Sequence, residues 1–169
     1  MPKTIADLFL SFSHDRLQLL GSRVSDCVGR LSNEQLWTRM GASQNAIGNL
    51  VLHLCGNVRQ WIISGVGGET DVRDRAAEFA QFGGLTAGEL QVRLATTLQK
   101  AGEVIRALPA SRLTETIMVQ HQQKAVLELI YTVVEHFAQH AGQIIFATKT
   151  LTGEDLGYYR HLSAPHDRA

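Results

Sequence analysis

The 169-residue chain has only two cysteines, no excess charge of either sign and no long hydrophobic run. Two cysteines are too few for a disulfide framework, and Cys27 and Cys55 both lie in helical patterns, where we expect buried thiols. Sixteen basic residues balance sixteen acidic residues, and no lysine and arginine cluster stands out. The sequence therefore predicts neither nucleic acid nor an anionic membrane as a partner.

Membrane-spanning and secretory patterns are also missing. No stretch approaches the roughly 18 consecutive apolar residues that a membrane helix needs. The first twenty residues are amphipathic and lack the apolar region and cleavage site of a signal peptide. We therefore expect a cytoplasmic protein.

The composition is typical of a folded protein, with 44% hydrophobic and 19% charged residues. We expect a single helical domain over residues 1–169, in which 154–169 form a polar tail. Helical periodicity marks four long segments, which lie at 4–31, 43–64, 86–108 and 124–151. Capping-box patterns predict a short helix after Ser32 and the start of the third long helix at Thr86.

The connections between these helices differ in length. The segment TDVRDRAAEFAQFGG, at 70–84, is interpreted as a solvated loop with local ion pairs and one helical turn, or as a lid or dimer contact. No alternating pattern is long enough for a large sheet, although ETIMV is compatible with a short extended piece. The pattern predicts an all-α fold, a four-helix bundle with at least one long crossover connection.

Three histidines stand out within these helices. His136 and His140, in VVEHFAQHAGQII, are four residues apart and share one helical face, which the neighbouring apolar residues turn toward the core. His53, in VLHLCGNVRQW, lies in the middle of the second long helix. Buried imidazoles need partners, and three of them can share one divalent cation that keeps an open coordination position. The alternative is a set of core histidines that bond to the backbone or to one another.

Polar residues surround the predicted site. Asn49 lies one turn before His53, and Asn57 and Gln60 follow it on the same helix. Together with Gln143 they are expected to line a wet pocket or to orient the metal ligands from behind. Glu135 points about 100° away from His136 and is expected behind the ligands or on a dimer surface rather than as a base. Glycines at three positions are expected to leave space near the ion or to permit close approach of helices; they are Gly48, Gly56 and Gly142.

These motifs resemble the DinB/YfiT-like superfamily of metal-binding four-helix bundles. The resemblance rests on the histidine triad and on the strings IGNLVLHLCGNVRQWI, SGVGG, VRDRAAEF, VVEHFAQHAGQI and DLGYYRHL, which are similar to a small bacterial branch of unassigned function. It implies an up-up-down-down bundle, a divalent zinc or nickel ion on His53, His136 and His140, and a homodimer. It also implies a candidate chemistry, since characterised relatives include thiol-dependent S-transferases and a thiol-dependent maleylpyruvate isomerase.

Three functions remain open from the sequence. The first is a thiol-dependent S-transferase that acts on a small electrophile, with a low-molecular-weight thiol as cosubstrate. The second is a metal-dependent hydrolase, and the third is a non-catalytic metal-binding or stress-related protein. Arg160 in the tail and His121 before the last helix are candidates for substrate contact, His14 is a weaker candidate for the core, and Cys55 is a poor nucleophile candidate because it faces away from His53.

Overall fold

The computed structural model describes residues 3–39, 41 and 43–160. Within these residues the chain forms six α-helices and one small sheet. The helices are α1 (Ile5–Gly29), α2 (Asn33–Trp37), α3 (Ile47–Val58), α4 (Arg75–Ala80), α5 (Ala87–Ala107) and α6 (Val126–Thr152). A π-helical segment, Arg59–Val66, extends α3, and a 3₁₀ turn, Ala110–Thr114, follows α5. Two antiparallel strands, β1 (Thr116–Val119) and β2 (Gln122–Ala125), form a hairpin before α6.

Local signals define the helix ends. Thr4, Ser32 and Thr86 cap α1, α2 and α5, and each side chain accepts a hydrogen bond from the third residue of its helix while that residue's side chain bonds back. Gly153 ends α6 with a φ of 70°, a left-handed conformation that glycine adopts without strain. The two capping boxes predicted from the sequence are therefore confirmed.

The four long helices form a bundle in which α1 and α3 each pack against both α5 and α6. The end of α1 lies beside the end of α6, where Arg30 pairs with Glu154 at 2.8 Å. By contrast, Leu50 near the start of α3 shares a cavity with Phe146 near the end of α6. Because α1 and α6 run in one direction and α3 and α5 in the other, the order is up-down-down-up, which corrects the up-up-down-down order expected from the resemblance.

This order explains the long crossover. Since α3 and α5 are parallel, the chain between them must return along the full length of the bundle. Residues 67–86 make this return and carry α4 across the outer side of α3. We call this segment the crossover strap, and it brings charged side chains to the middle of α3.

The remaining connections close the two ends of the bundle. The hairpin of β1 and β2 packs against the π-helical segment and the start of α6. The part of the tail that the structure describes, 154–160, returns to α1, where the Tyr158 hydroxyl donates to Asp26 Oδ2 at 2.7 Å. The rest of the predicted tail, including His161 and His166, lies outside the described residues.

The core is apolar and is built from all four long helices. Its largest fully buried side chains include Leu17, Leu54, Leu94, Phe137 and Ile144. Cys27 and Cys55 are buried thiols, as expected. Among the described residues, no helix is long and apolar enough to cross a membrane.

Candidate metal centre

The bundle brings His53, His136 and His140 together. His53 is buried on α3, and the two other histidines stand one turn apart on α6, where each is half-buried. One nitrogen from each ring lies within 4.8 Å of the others. The Nε2 atoms of His53 and His136 are 2.9 Å apart, and the three rings meet edge to face with centroids 4.5 to 5.0 Å apart. This cluster could hold a metal ion.

A buried carboxylate holds the far side of His53. Glu78, on α4 of the crossover strap, places Oε2 2.9 Å from His53 Nδ1. Arg73 donates to both oxygens of this carboxylate, at 2.7 and 2.9 Å, and the side chains of Arg73 and Glu78 are only 3% and 9% exposed. This bidentate pair fixes the carboxylate in one orientation.

The arrangement determines which nitrogen of His53 is free. Arg73 Nη2 also lies 3.1 Å from His53 Nδ1, but a guanidinium only donates. We assign the proton to Nδ1, because Nδ1–H then donates to the charged Glu78 carboxylate while Arg73 donates to the same carboxylate. The lone pair of Nε2 then faces the two other histidines, as a metal ligand requires.

Glu78 is ionised in this environment. Burial raises the pKa of its carboxyl, but the hydrogen bonds from Arg73 and His53 outweigh burial, and the net pKa lies below the ordinary value. An anionic carboxylate behind His53 increases the basicity of the imidazole toward a metal. The same bonds occupy Glu78, so it is not a free base at the site.

The crossover strap is anchored so that Glu78 reaches His53. Asn49 is fully buried, and its amide nitrogen donates to the Glu78 and Gln81 carbonyls at 3.0 and 2.8 Å. Gly56 faces the same carboxylate, and a Cβ at this position would collide with Glu78. Asn49 therefore positions the strap rather than lining a wet pocket, and Gly56 permits the close approach.

The two histidines on α6 are neutral at neutral pH. Burial, followed by the electrostatic effects of His140, His53 and Arg73 on the protonated ring, lowers the pKa of His136 to about 4. Burial also lowers the pKa of His140, against a smaller opposite effect of Gln143, whose Oε1 lies 2.7 Å from His140 Nδ1. Gln143 thus orients His140 with Nδ1 protonated and Nε2 free, although Gln143 itself is exposed.

A cavity of about 340 Å³ opens beside the histidines. Asn57 and Trp61 of the α3 side line it, together with residues of the crossover strap, the hairpin and α6. Gln60 is not among the lining residues, contrary to expectation, and bonds to Arg73, Asp71 and Gln120 rather than to the cluster. The lining residues are His53, Asn57, Trp61, Arg73, Arg75, Gln120, Gln122, Lys124, Thr132, Val133 and His136.

Two other predicted site residues do not reach the cavity. Glu135 is exposed because it points away from His136 around α6. Its carboxylate accepts a hydrogen bond from Gln139. His121 is exposed in the hairpin turn with a φ of 61°, and its neighbours Gln120 and Gln122 line the cavity instead.

Arg160 and His14 lie elsewhere in the fold. Arg160 pairs with Asp155 at 3.2 Å and lines a separate cavity with the described part of the tail. His14 is on α1, and its ring packs toward α5 at Gly102. Its Nδ1 is 3.0 Å from Asp15 Oδ1. Neither residue shares the histidine cavity.

The glycines Gly48 on α3 and Gly142 on α6 have different surroundings. Gly48 contacts the Trp37 ring, where a Cβ would approach within 2.8 Å, and so permits α2 to pack on α3. Gly142 faces open space, and a Cβ there would meet no atom within 4 Å among the described residues. Close helix approach, one of the two roles expected, is therefore confirmed at Gly48, whereas Gly142 makes no such approach among the described residues.

The Arg73–Glu78 pair is more buried than the sequence predicts. The string RDRAAEF is typical of a solvated loop with local ion pairs, yet the Arg73 side chain is only 3% exposed. One signal was present: Asp74 caps α4 through Ala77 N, which places Glu78 on the first turns of a short helix beside a glycine-rich stretch. Phe79 follows on the same strap and contacts the His53 ring, with centroids 4.8 Å apart.

The donor set fits a divalent transition metal. Neutral imidazole nitrogen is a ligand for such ions, and two of the three rings have a partner on the opposite nitrogen that orients them. No carboxylate joins the three nitrogens in the described cluster, and the cavity reaches His53 and His136. Calcium and magnesium prefer oxygen ligands and do not suit this set.

The fold and this cluster define a DinB-like helical bundle with a three-histidine centre. The chain matches the family described as "Protein of unknown function (DUF1572)" over residues 4–168, and it belongs to that family. Among curated proteins, none matches the chain.

Solved structures with the same fold include three bacterial proteins. A conserved protein from Enterococcus faecalis has a TM-score of 0.74 and 11% identity, over 90% of this chain and 100% of that one. A DinB-like protein from Bacillus subtilis has a TM-score of 0.67 and 14% identity, over 85% of this chain and 93% of that one. A DinB-like protein from Bacillus cereus has the same TM-score and identity, over 89% of this chain and 95% of that one. These similarities confirm the DinB-like fold expected from the sequence.

Proposed function

We propose that this protein is a metal-dependent S-transferase that joins a low-molecular-weight thiol to a small electrophile. His53, His136 and His140 hold the metal, zinc or nickel. The observation that carries the proposal is the convergence of three imidazole nitrogens within 4.8 Å at the wall of a cavity. Three protein ligands leave a coordination position for a cosubstrate, whereas structural zinc sites use four.

A metal held by His53, His136 and His140 would act as a Lewis acid, which would lower the pKa of a thiol and favour the thiolate at neutral pH. The thiolate sulfur then forms a bond to the electrophilic carbon. The leaving group departs with its electron pair, and the thiol proton passes to solvent.

The protein residues around the centre suit this reaction because they position groups and do not need to react. Glu78 and Gln143 orient His53 and His140. Burial raises the pKa of the Cys55 thiol to about 12, so Cys55 stays protonated and is not a nucleophile. An external thiol supplies the sulfur instead.

Hydrolysis is a weaker alternative. Activation of water is assisted by a general base within reach of the water. The carboxylate at the centre, Glu78, is occupied by Arg73 and His53 and lies behind the ligand rather than in the cavity.

The proposed transfer can be tested by following the conjugation of 2-mercaptoethanol, cysteamine and 3-mercaptopropionate to 1-chloro-2,4-dinitrobenzene. We expect zinc- or nickel-loaded protein to accelerate at least one conjugation, and metal-free protein or the His140→Ala variant to lose the acceleration. Loaded protein that binds none of the thiols and gives only the buffer rate would contradict the proposal.

We also propose that the protein forms a homodimer. Three large apolar side chains, Ile5, Leu8 and Phe12, are 87%, 51% and 67% exposed along one side of α1. Tyr131, on the adjacent α6, is 60% exposed. Sedimentation should give a dimer for the wild type and a monomer for Phe12→Ser; a monomeric wild type would refute the dimer.

A further inference from the structure

The cavity beside the histidines has a positively charged wall. We propose that it binds a small molecule that carries a carboxylate, which Arg75 and Lys124 recognise. This inference deepens the proposed function and rests on it, because the carboxylate belongs to one of the two substrates, the thiol or the electrophile, that react at the metal.

The wall lacks acidic groups. Among the described residues that line the cavity there is no aspartate or glutamate. Arg73 also lines it, but Glu78 neutralises this guanidinium through two hydrogen bonds. Arg75 and Lys124 form no ion pair with any described residue.

Aromatic rings hold these two cations in place without neutralising them. The Arg75 guanidinium lies over the Phe79 ring, 4.9 Å from its centroid. Lys124 Nζ lies over the Trp61 ring at 5.5 Å. Cation–π contacts leave the charge available to an anion. The two residues come from the crossover strap and from β2, and the cavity opens between these elements.

The Trp61 indole provides a separate indication. Trp61 is 6% exposed and lines the cavity, and its Nε1 is buried without a hydrogen-bond partner in the described part of the chain. An indole N–H only donates, and leaving it unpaired in a buried position is unfavourable. A hydrogen-bond acceptor such as a carboxylate oxygen is the partner that this donor lacks, and a cationic group cannot supply one.

The charge at the metal centre favours the same ligand. The three nitrogen ligands are neutral, and the Glu78 charge is matched by Arg73, so a divalent ion would keep its two positive charges. Arg75 and Lys124 add two more at the cavity wall. Opposite charges attract more strongly in a partly enclosed site than in bulk water.

Isothermal titration calorimetry on zinc-loaded protein tests the inference with three thiols of matched size. They are 3-mercaptopropionate, neutral 2-mercaptoethanol and cationic cysteamine, and propionate is the ligand without sulfur. We expect 3-mercaptopropionate to bind at least about tenfold more tightly than 2-mercaptoethanol. Arg75→Gln and Lys124→Gln should each weaken 3-mercaptopropionate about fivefold and leave 2-mercaptoethanol unchanged.

Matched controls and a charge reversal sharpen the test. Arg106→Gln and Lys100→Gln change exposed residues of α5, outside the cavity, and should have no effect. The double variant Arg75→Glu/Lys124→Glu should prefer cysteamine to 3-mercaptopropionate. Thermal unfolding of each variant verifies that it is folded. Lys124→Met removes the charge over Trp61 and keeps a long unbranched side chain.

The outcomes separate the two proposals. Equal binding of all three thiols, or equal losses in Arg75→Gln and Arg106→Gln, would overturn the carboxylate site and leave S-transfer standing. Binding of propionate that depends on Arg75 and Lys124, with no accelerated conjugation of any of the three thiols, would support the carboxylate site while S-transfer fails.

Discussion

Replacing Glu78 by glutamine removes one negative charge behind His53 and retains the shape of the side chain. Because Glu78 Oε2 accepts from His53 Nδ1 at 2.9 Å, this change weakens the group that orients the imidazole. Loss of such a carboxylate behind a metal-bound histidine costs about 10- to 100-fold in metal affinity. We expect a loss in this range for zinc, measured by competition with a chromophoric chelator.

The same substitution should also reduce stability, for a different reason. The Arg73 side chain is 3% exposed, and without its carboxylate partner the guanidinium is a buried, unpaired charge. Breaking a buried ion pair from one side costs about 3 to 5 kcal/mol in the free energy of unfolding, and glutamine retains part of the hydrogen bonding. Urea unfolding of the metal-free protein measures this loss.

A double variant distinguishes the two effects. Arg73→Met/Glu78→Gln removes the unpaired charge, so most of the stability should return while the loss of metal affinity remains. Glu69→Gln is the matched control, since Glu69 makes only exposed contacts with Arg59 and Lys100. Wild-type metal affinity in Glu78→Gln would refute the role of this carboxylate, and so would affinity that recovers together with stability in the double variant.

Three further predictions follow from individual residues. Gly56→Ala should displace Glu78, weaken metal binding and lower the free energy of unfolding by about 1 to 3 kcal/mol. Gly142→Ala should raise the free energy of unfolding by about 0.5 to 1 kcal/mol and leave metal affinity unchanged. Denaturation and chelator competition measure these two quantities, and equal effects of the two variants would contradict the steric argument. The pKa of His136 falls from 6.5 to about 4 on folding, so the folded state binds fewer protons in this range and the free energy of unfolding of metal-free protein should decrease as pH falls through it. His136→Leu should flatten that slope in urea titrations, and an unchanged slope would rule out His136 as its source. Burial raises the pKa of the Cys55 thiol to about 12, so iodoacetamide at neutral pH should leave this thiol unmodified in folded protein. Mass spectrometry measures the modification, and rapid alkylation would contradict the burial of Cys55.

The sequence predicts the helices because their signals are local. Apolar periodicity and the capping residues Ser32 and Thr86 act within a few positions of the chain, and the structure confirms both starts. The spacing of His136 and His140 similarly fixes their common face, and the burial of His53 follows from its apolar helix. Their convergence, however, depends on the packing of α3 against α6, which the sequence supports only through the resemblance.

Long-range features could not be predicted in the same way. The direction of α3 depends on how the 32–46 connection turns, and no local pattern determines it. That direction in turn forces the crossover strap along the bundle and buries Arg73 and Glu78 beside His53. Charged residues in a loop pattern usually remain solvated, so only the spatial pairing of these two residues explains their burial.

Metal content tests the central claim most directly. Elemental analysis of untagged protein should find about one zinc or nickel ion per chain in the wild type. The His53→Ala variant and the His136→Ala/His140→Ala variant should lose that ion while remaining folded by circular dichroism. A metal-free wild type that does not take up zinc or nickel, with equally folded variants, would contradict the claim and reduce the three histidines to a hydrogen-bonded core cluster.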